Sequence, residues 1–165
     1  MSSEARILDA ALACLRSGGG LTMAQVAEKA GLSRQAVYLH FPGRDALLAA
    51  LRARQPAAPD LDAAPSARAA LGLLIAAQAH ADPALAALDE PATAAQARLA
   101  RCAHVAARFQ AEGALVPQLS PAAAADLLWS LTGPRLWRDL VAGRGWTAER
   151  YRGHIAFLAG RALTA

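Results

Sequence analysis

Arg34 and Gln35 stand side by side at the start of a predicted helix, and the pair is well suited to reading base-pair edges. An arginine can donate two hydrogen bonds to guanine, and a glutamine can pair in the same two-point manner with adenine. Both lie in the first turn, the part of a recognition helix that meets base edges in the major groove. Further along, Tyr38 and His40 each carry a rigid ring with a polar tip, a shape suited to holding a phosphate oxygen without reading sequence. The chemistry foreseen is recognition of double-stranded DNA rather than the making or breaking of bonds.

These side chains need a frame, and the stretch from Thr22 to Phe41, TMAQVAEKAGLSRQAVYLHF, encodes one. Thr22 and Gln25 have the spacing of a capping box, in which each side chain satisfies a backbone N–H that an opening helix leaves unpaired. Val26, Ala27 and Ala30 form the apolar stripe of that helix, and Gly31 supplies the left-handed residue that ends it. Ser33 then caps a second helix, so short a turn that the two helices must cross steeply. In the second helix Val37 and Phe41 share a buried face with Ala36, which leaves Arg34, Gln35 and Tyr38 pointing outward. The pattern is that of a helix-turn-helix.

The same residues, T-x-x-x-V-A-x-x-A-G-L-S followed by V-Y-L-H-F and by Arg44, resemble the TetR/AcrR family of bacterial transcriptional regulators. The resemblance begins at Arg6-Ile7-Leu8-Asp9-Ala10-Ala11 and runs through Asp45-Ala46-Leu47-Leu48. It implies phosphate contacts from Thr22, Tyr38, His40 and Arg44, and base reading from Ser33, Arg34, Gln35 and Leu39. For Leu39 a thymine methyl contact competes with packing along a neighbouring helix. Relatives that carry basic residues ahead of helix one can reach into a minor groove; here only Ser2, Ser3 and Glu4 precede Ala5 and Arg6, so no such arm is expected.

At 165 residues, the chain has room for a small head, residues 1–55, and a helical body, residues 56–165. Hydrophobic residues make up 55% and aromatics only 5%, with abundant alanine, which favours close-packed helices over sheets. The expected fold is all-α: a three-helix helix-turn-helix head plus a helical ligand-sensing and dimerisation domain, about nine helices in total. The formal charge is +4, with seven basic and four acidic residues up to position 55, and ten and nine beyond it. The surplus therefore lies in the head, as a polyanion partner requires.

Several function classes find no support. No G-x-S-x-G, H-E-x-x-H or paired-carboxylate constellation argues for an enzyme. Gly18-Gly19-Gly20 lacks the Lys-Ser/Thr of a phosphate-cradling loop and serves to end the first helix. Cys14 and Cys102 are far apart and read as core residues, and His80, His104 and His154 have no partner at ligand spacing, so neither metal nor cofactor is expected. No apolar run approaches a membrane span, the longest being Ala69 to Ala77. Asp9 and Arg16 interrupt the N-terminus before a secretory core could form, and a cytoplasmic location is expected.

In the body, prolines 56, 59 and 65 mark a hinge candidate. Helices are expected from Ser66 to Ala81, Pro91 to Glu112, Ser120 to Thr132, Arg135 to Ala142 and Thr147 to Leu163, with a short piece between the first two, bounded by Pro83 and the Asp89-Glu90-Pro91 cluster. Ala124, Leu128 and Leu131 on one helix, and Tyr151, Ile155 and Leu158 on another, are apolar stripes expected to meet a second copy in a four-helix bundle, the arrangement the resemblance implies for its dimers. Gln78, Val105, Phe109, Trp129 and Thr132 are candidates to line a pocket for a small apolar or amphipathic effector. The favoured reading is a homodimeric repressor released from a palindromic operator by such an effector. The alternative is a DNA-binding regulator without a pocket, controlled by a protein partner or by abundance.

Overall fold

The computed structural model describes residues 2–18, 20–79, 82–86, 88 and 90–164. Gly19, His80, Ala81 and Asp89, which enter the sequence reading above, lie outside the described residues. The chain divides into two compact units, Met1–Pro56 and Ala57–Ala165. Every regular element among the described residues is helical.

In the first unit α1 (Ser3–Arg16), α2 (Met23–Ala30), α3 (Arg34–His40) and α4 (Arg44–Ala53) surround one core. Each of the first three starts on a side-chain cap, Ser2, Thr22 and Ser33, whose oxygen accepts a backbone N–H three residues on. Ile7, Leu8 and Ala11 of α1 face Val26 and Ala27 of α2, Val37 of α3 and Leu47, Leu48 and Leu51 of α4 in the buried set. Burying each of the larger aliphatic side chains contributes about 1.5 to 3 kcal/mol, more than caps alone supply to helices this short.

In the second unit α5 (Ala67–Ala79), α7 (Ala92–Ala111), α8 (Pro121–Leu131) and α10 (Ala148–Leu163) are the long elements. Two single-turn helices, α6 (Pro83–Ala86) and α9 (Pro134–Arg138), lie between them, and α9 continues into a π-helical turn, Asp139–Gly143. α7 ends at Gly113, where φ is +66° and the N–H of Ala114 reaches back to the carbonyl of Phe109 at 2.9 Å; glycine takes this left-handed conformation without a Cβ penalty. Leu71, Leu74, Ile75, Val105, Phe109, Leu128, Trp137, Tyr151 and Ile155 make up much of the core. Trp137 meets Tyr151 edge to face at 4.8 Å, and the Tyr151 hydroxyl donates to the Leu131 carbonyl at 3.1 Å.

The proline-rich connection is not free along its whole length. Leu61 and Ala64 are buried in the second unit's core, and the Arg108 guanidinium donates to both of their carbonyls. Glu112 in turn accepts the Ala67 N–H at 2.7 Å, where α5 opens. The hinge expected across prolines 56, 59 and 65 is therefore fastened in its C-terminal half.

Candidate nucleic-acid interface

The turn between α2 and α3 is built from local chemistry. Gly31 has φ +65° and ψ 39°, its N–H bonds to the Glu28 carbonyl, and the Leu32 N–H bonds to that of Ala27 at 3.0 Å. These two bonds satisfy carbonyls that the end of α2 would otherwise leave open. A guanidinium adds a third closure, because Arg6 donates to the Ala30 carbonyl at 2.6 Å.

Beyond the turn, α3 is anchored by Val37, fully buried, and by Phe41 just past its end. Arg34, Gln35, Tyr38, Leu39 and His40 are all exposed on the same short helix. Leu39 is 82% exposed, so within its own unit it does not pack along a neighbouring helix. The Ser33 oxygen accepts the Ala36 N–H at 3.1 Å; accepting leaves its hydroxyl proton free to donate outward. Thr22 differs, since its hydroxyl donates to Gln25 Oε1 at 2.8 Å within the capping box. A phosphate contact from Thr22 would have to exchange that bond.

Arg44 is exposed at the first position of α4, a helix that opens on Gly43 without a side-chain cap. A cation at the positive end of a helix dipole is unfavourable by itself, and an anion placed there satisfies both the arginine and the open N–H groups. The face formed by α3 can therefore read bases, while the start of α4 offers a phosphate seat.

The second unit corrects several sequence expectations. Ala124, Leu128, Tyr151 and Ile155, expected on a dimer surface, are at most 1% exposed and belong to the protomer's own core. They are spent on packing α8 and α10 against α5 and α7, so no second copy can reach them. Leu131 is half-buried and Leu158 is 38% exposed, and Phe157, which the stripe left outside, is 64% exposed.

The residues expected to line a pocket fall in different places. Val105 and Phe109 are core residues, and Gln78 is half-buried outside the lining of the cleft described next. Thr132 is buried, its hydroxyl donating to the Leu128 carbonyl at 2.8 Å and lying 3.7 Å from the Cys102 sulfur. Burial pushes the Cys102 thiol pKa up, and the Thr132 hydroxyl partly offsets this. Of the five, Trp129 lines an open cleft of about 640 Å³.

That cleft contains what the sequence pattern missed. Arg98 is only 5% exposed, yet it holds Glu90 in a two-point ion pair, Nε to Oε1 at 3.0 Å and Nη2 to Oε2 at 2.9 Å. Its remaining nitrogen donates to the Trp129 carbonyl, and its guanidinium lies 4.6 Å from the centre of the Trp129 ring. Glu90 precedes α7 while Arg98 lies inside it, so no helical spacing relates them. Elsewhere His104 Nε2 lies 3.1 Å from Asp62 Oδ1, and no group of three or more potential metal ligands occurs among the described residues. None of the described helices is long and apolar enough to cross a membrane.

Comparisons with known proteins agree with this geometry. Residues 7–51 match the bacterial regulatory proteins of the tetR family. Native NalD, the secondary repressor of the MexAB-OprM multidrug efflux pump in Pseudomonas aeruginosa, superposes with a TM-score of 0.71 at 20% identity, covering 98% of this chain and 96% of that one. A TetR-family transcriptional regulator from Rhodococcus sp. superposes with a TM-score of 0.61 at 24% identity, covering 99% of this chain and 100% of the other. No curated protein matches the chain. At these identities the two structures establish the shared all-α fold, while the head match over α1 to α4 covers the helix-turn-helix itself. The first unit thus matches the tetR family of bacterial regulatory proteins over α1 to α4, and the whole chain shares the all-helical fold of the two superposed structures.

Proposed function

We propose that the protein is a homodimeric repressor that binds a palindromic operator and is released from it by a small-molecule effector. The observation that carries the reading is the row of exposed Arg34, Gln35, Tyr38, Leu39 and His40 on α3, held up by buried Val37 and Phe41. Arg34 and Gln35, with Ser33 and Leu39, read bases; Tyr38, His40, Arg44 and Thr22 hold phosphates. Likeness to NalD, described as a repressor, favours repression over activation.

One copy of α3 reads too few base pairs for a specific site. Two copies held about 34 to 36 Å apart enter successive major grooves, which requires a two-fold pair. Exposed Phe157 and Leu158 on α10, with half-buried Leu127 and Leu131 on α8, are the apolar surface a second copy would cover. An effector acts by binding a conformer with the wrong spacing better than the DNA-competent one; a differential of about 1.4 kcal/mol gives tenfold relief. The cleft beside Trp129 is the seat assigned to it.

The burial of Val105 and Phe109 among the core side chains favours a second reading, in which the body serves dimerisation alone and control comes from a protein partner or abundance. Selection of bound DNA from a random pool, repeated with candidate effectors, separates the two. A palindromic consensus lost in the presence of one compound supports the first. A consensus that no compound disturbs supports the second, and no enrichment at all would overturn both.

A further inference from the structure

We propose that the cleft beside α9 binds a small amphipathic organic acid, its carboxylate held by Arg135 and Arg138 and its apolar body laid along Trp129 and Leu136. The inference rests on the effector reading above and names the chemical class that site would take. The cleft, about 640 Å³, has the size of a small-molecule site. Among the described residues its lining includes three arginines, Arg98, Arg135 and Arg138, against one carboxylate, Glu90.

The charges are not equivalent. Arg98 is matched by Glu90 and by the Trp129 carbonyl, so it forms the floor and fixes the Trp129 ring under its guanidinium. Arg138 shares its Nε and Nη2 with the Oδ1 of neighbouring Asp139, at 2.9 and 2.8 Å, leaving Nη1 outside that pair. Arg135 is exposed on the preceding turn of the same short helix, three residues away, a spacing that puts the two cations side by side. Two surplus positive charges, one of them already shared, suit a monoanion better than a dianionic phosphate. A cationic ligand would be repelled, and a neutral one would cover guanidinium groups without replacing their lost water. Trp129, 38% exposed, and Leu136, half-buried, supply the apolar wall that a bare inorganic anion would leave unused.

The test is calorimetric titration of the full chain with straight-chain alkanoates, and with the alcohols and amines of matched length. The acid should bind at least about tenfold more tightly than the alcohol, as expected for hydrogen bonds to a charged group, and the amine should not bind. Arg135 is exposed, so Arg135→Gln leaves the core intact; it should weaken the acid by about tenfold and leave the alcohol unchanged. Equal binding of acid and alcohol, no binding by any acid of the series, or an indifferent Arg135→Gln would each overturn the proposal. Operator binding measured alongside separates it from the reading on which it rests. An acid that binds through Arg135 without loosening DNA removes the effector role and keeps the site. An acid that releases DNA equally well from Arg135→Gln does the reverse.

Discussion

The guanidinium of Arg6 in α1 closes the carbonyl of Ala30 at the end of α2, at 2.6 Å, where the chain turns into the reading helix. A cation there meets the negative end of the α2 dipole and an acceptor the helix cannot satisfy itself. Arg6→Ala should cost about 1.5 to 2 kcal/mol of stability, the lower part of the range for a charged hydrogen bond because the site is only partly buried. It should weaken operator binding without changing which bases are preferred. Denaturant unfolding and a base-by-base operator scan check both; a changed preference would make Arg6 a reading residue.

Arg34→Ala should cost about 1 to 3 kcal/mol on the selected operator and little on random DNA. Competition binding at one salt concentration decides it, since equal losses on both would leave Arg34 a phosphate contact.

Arg44→Ala should weaken binding to every sequence and flatten the plot of log K against log salt by roughly one, because one fewer phosphate is neutralised. An unchanged slope would count against the seat at the start of α4.

Phe157→Glu combined with Leu158→Glu should yield monomers in sedimentation and lower operator affinity, with helix content unchanged, since both side chains are exposed in the protomer. Tyr151→Glu or Ile155→Glu instead should unfold the protomer, because each would bury a charge in the core. A double variant that stays dimeric would move the interface elsewhere.

Burial pushes the Tyr151 phenol up to about 12 from an ordinary 10. The folded state keeps its proton where the unfolded state has lost it, so this contribution to stability is complete below pH 10 and is lost as pH rises towards 12. Cys102, raised in the same direction by burial, begins to act above its ordinary 9.0. Tyr151→Phe should therefore flatten the alkaline fall in stability and leave the Cys102 part, as read from urea unfolding between about pH 8 and 11.5. Parallel curves for both proteins would refute the desolvation account.

The head was legible because its signals are local. Thr22 with Gln25, Gly31 and Ser33 each act on backbone groups within a few residues, so spacing alone predicts their bonds, and the capping box and left-handed turn are present in the structure. The body was legible as helices but not as surfaces. α8 is apolar on two sides, and a helical repeat tells which residues share a side without telling what covers it. Ala124 and Leu128 went to the protomer's core, and Trp129 to the cleft, for reasons that lie on α5, α7 and α10.

By itself, then, the sequence determined the all-α class, the helix starts and stops of the head and the exposed face of α3, because caps, turns and helical period are properties of neighbouring residues. Only the tertiary structure decided that Arg98 pairs with Glu90 while lying over the Trp129 ring, that Arg135 and Arg138 line one cleft, and that Phe157 is left uncovered. Those outcomes depend on which helix faces which, and that is settled when all the apolar stripes compete for the same core.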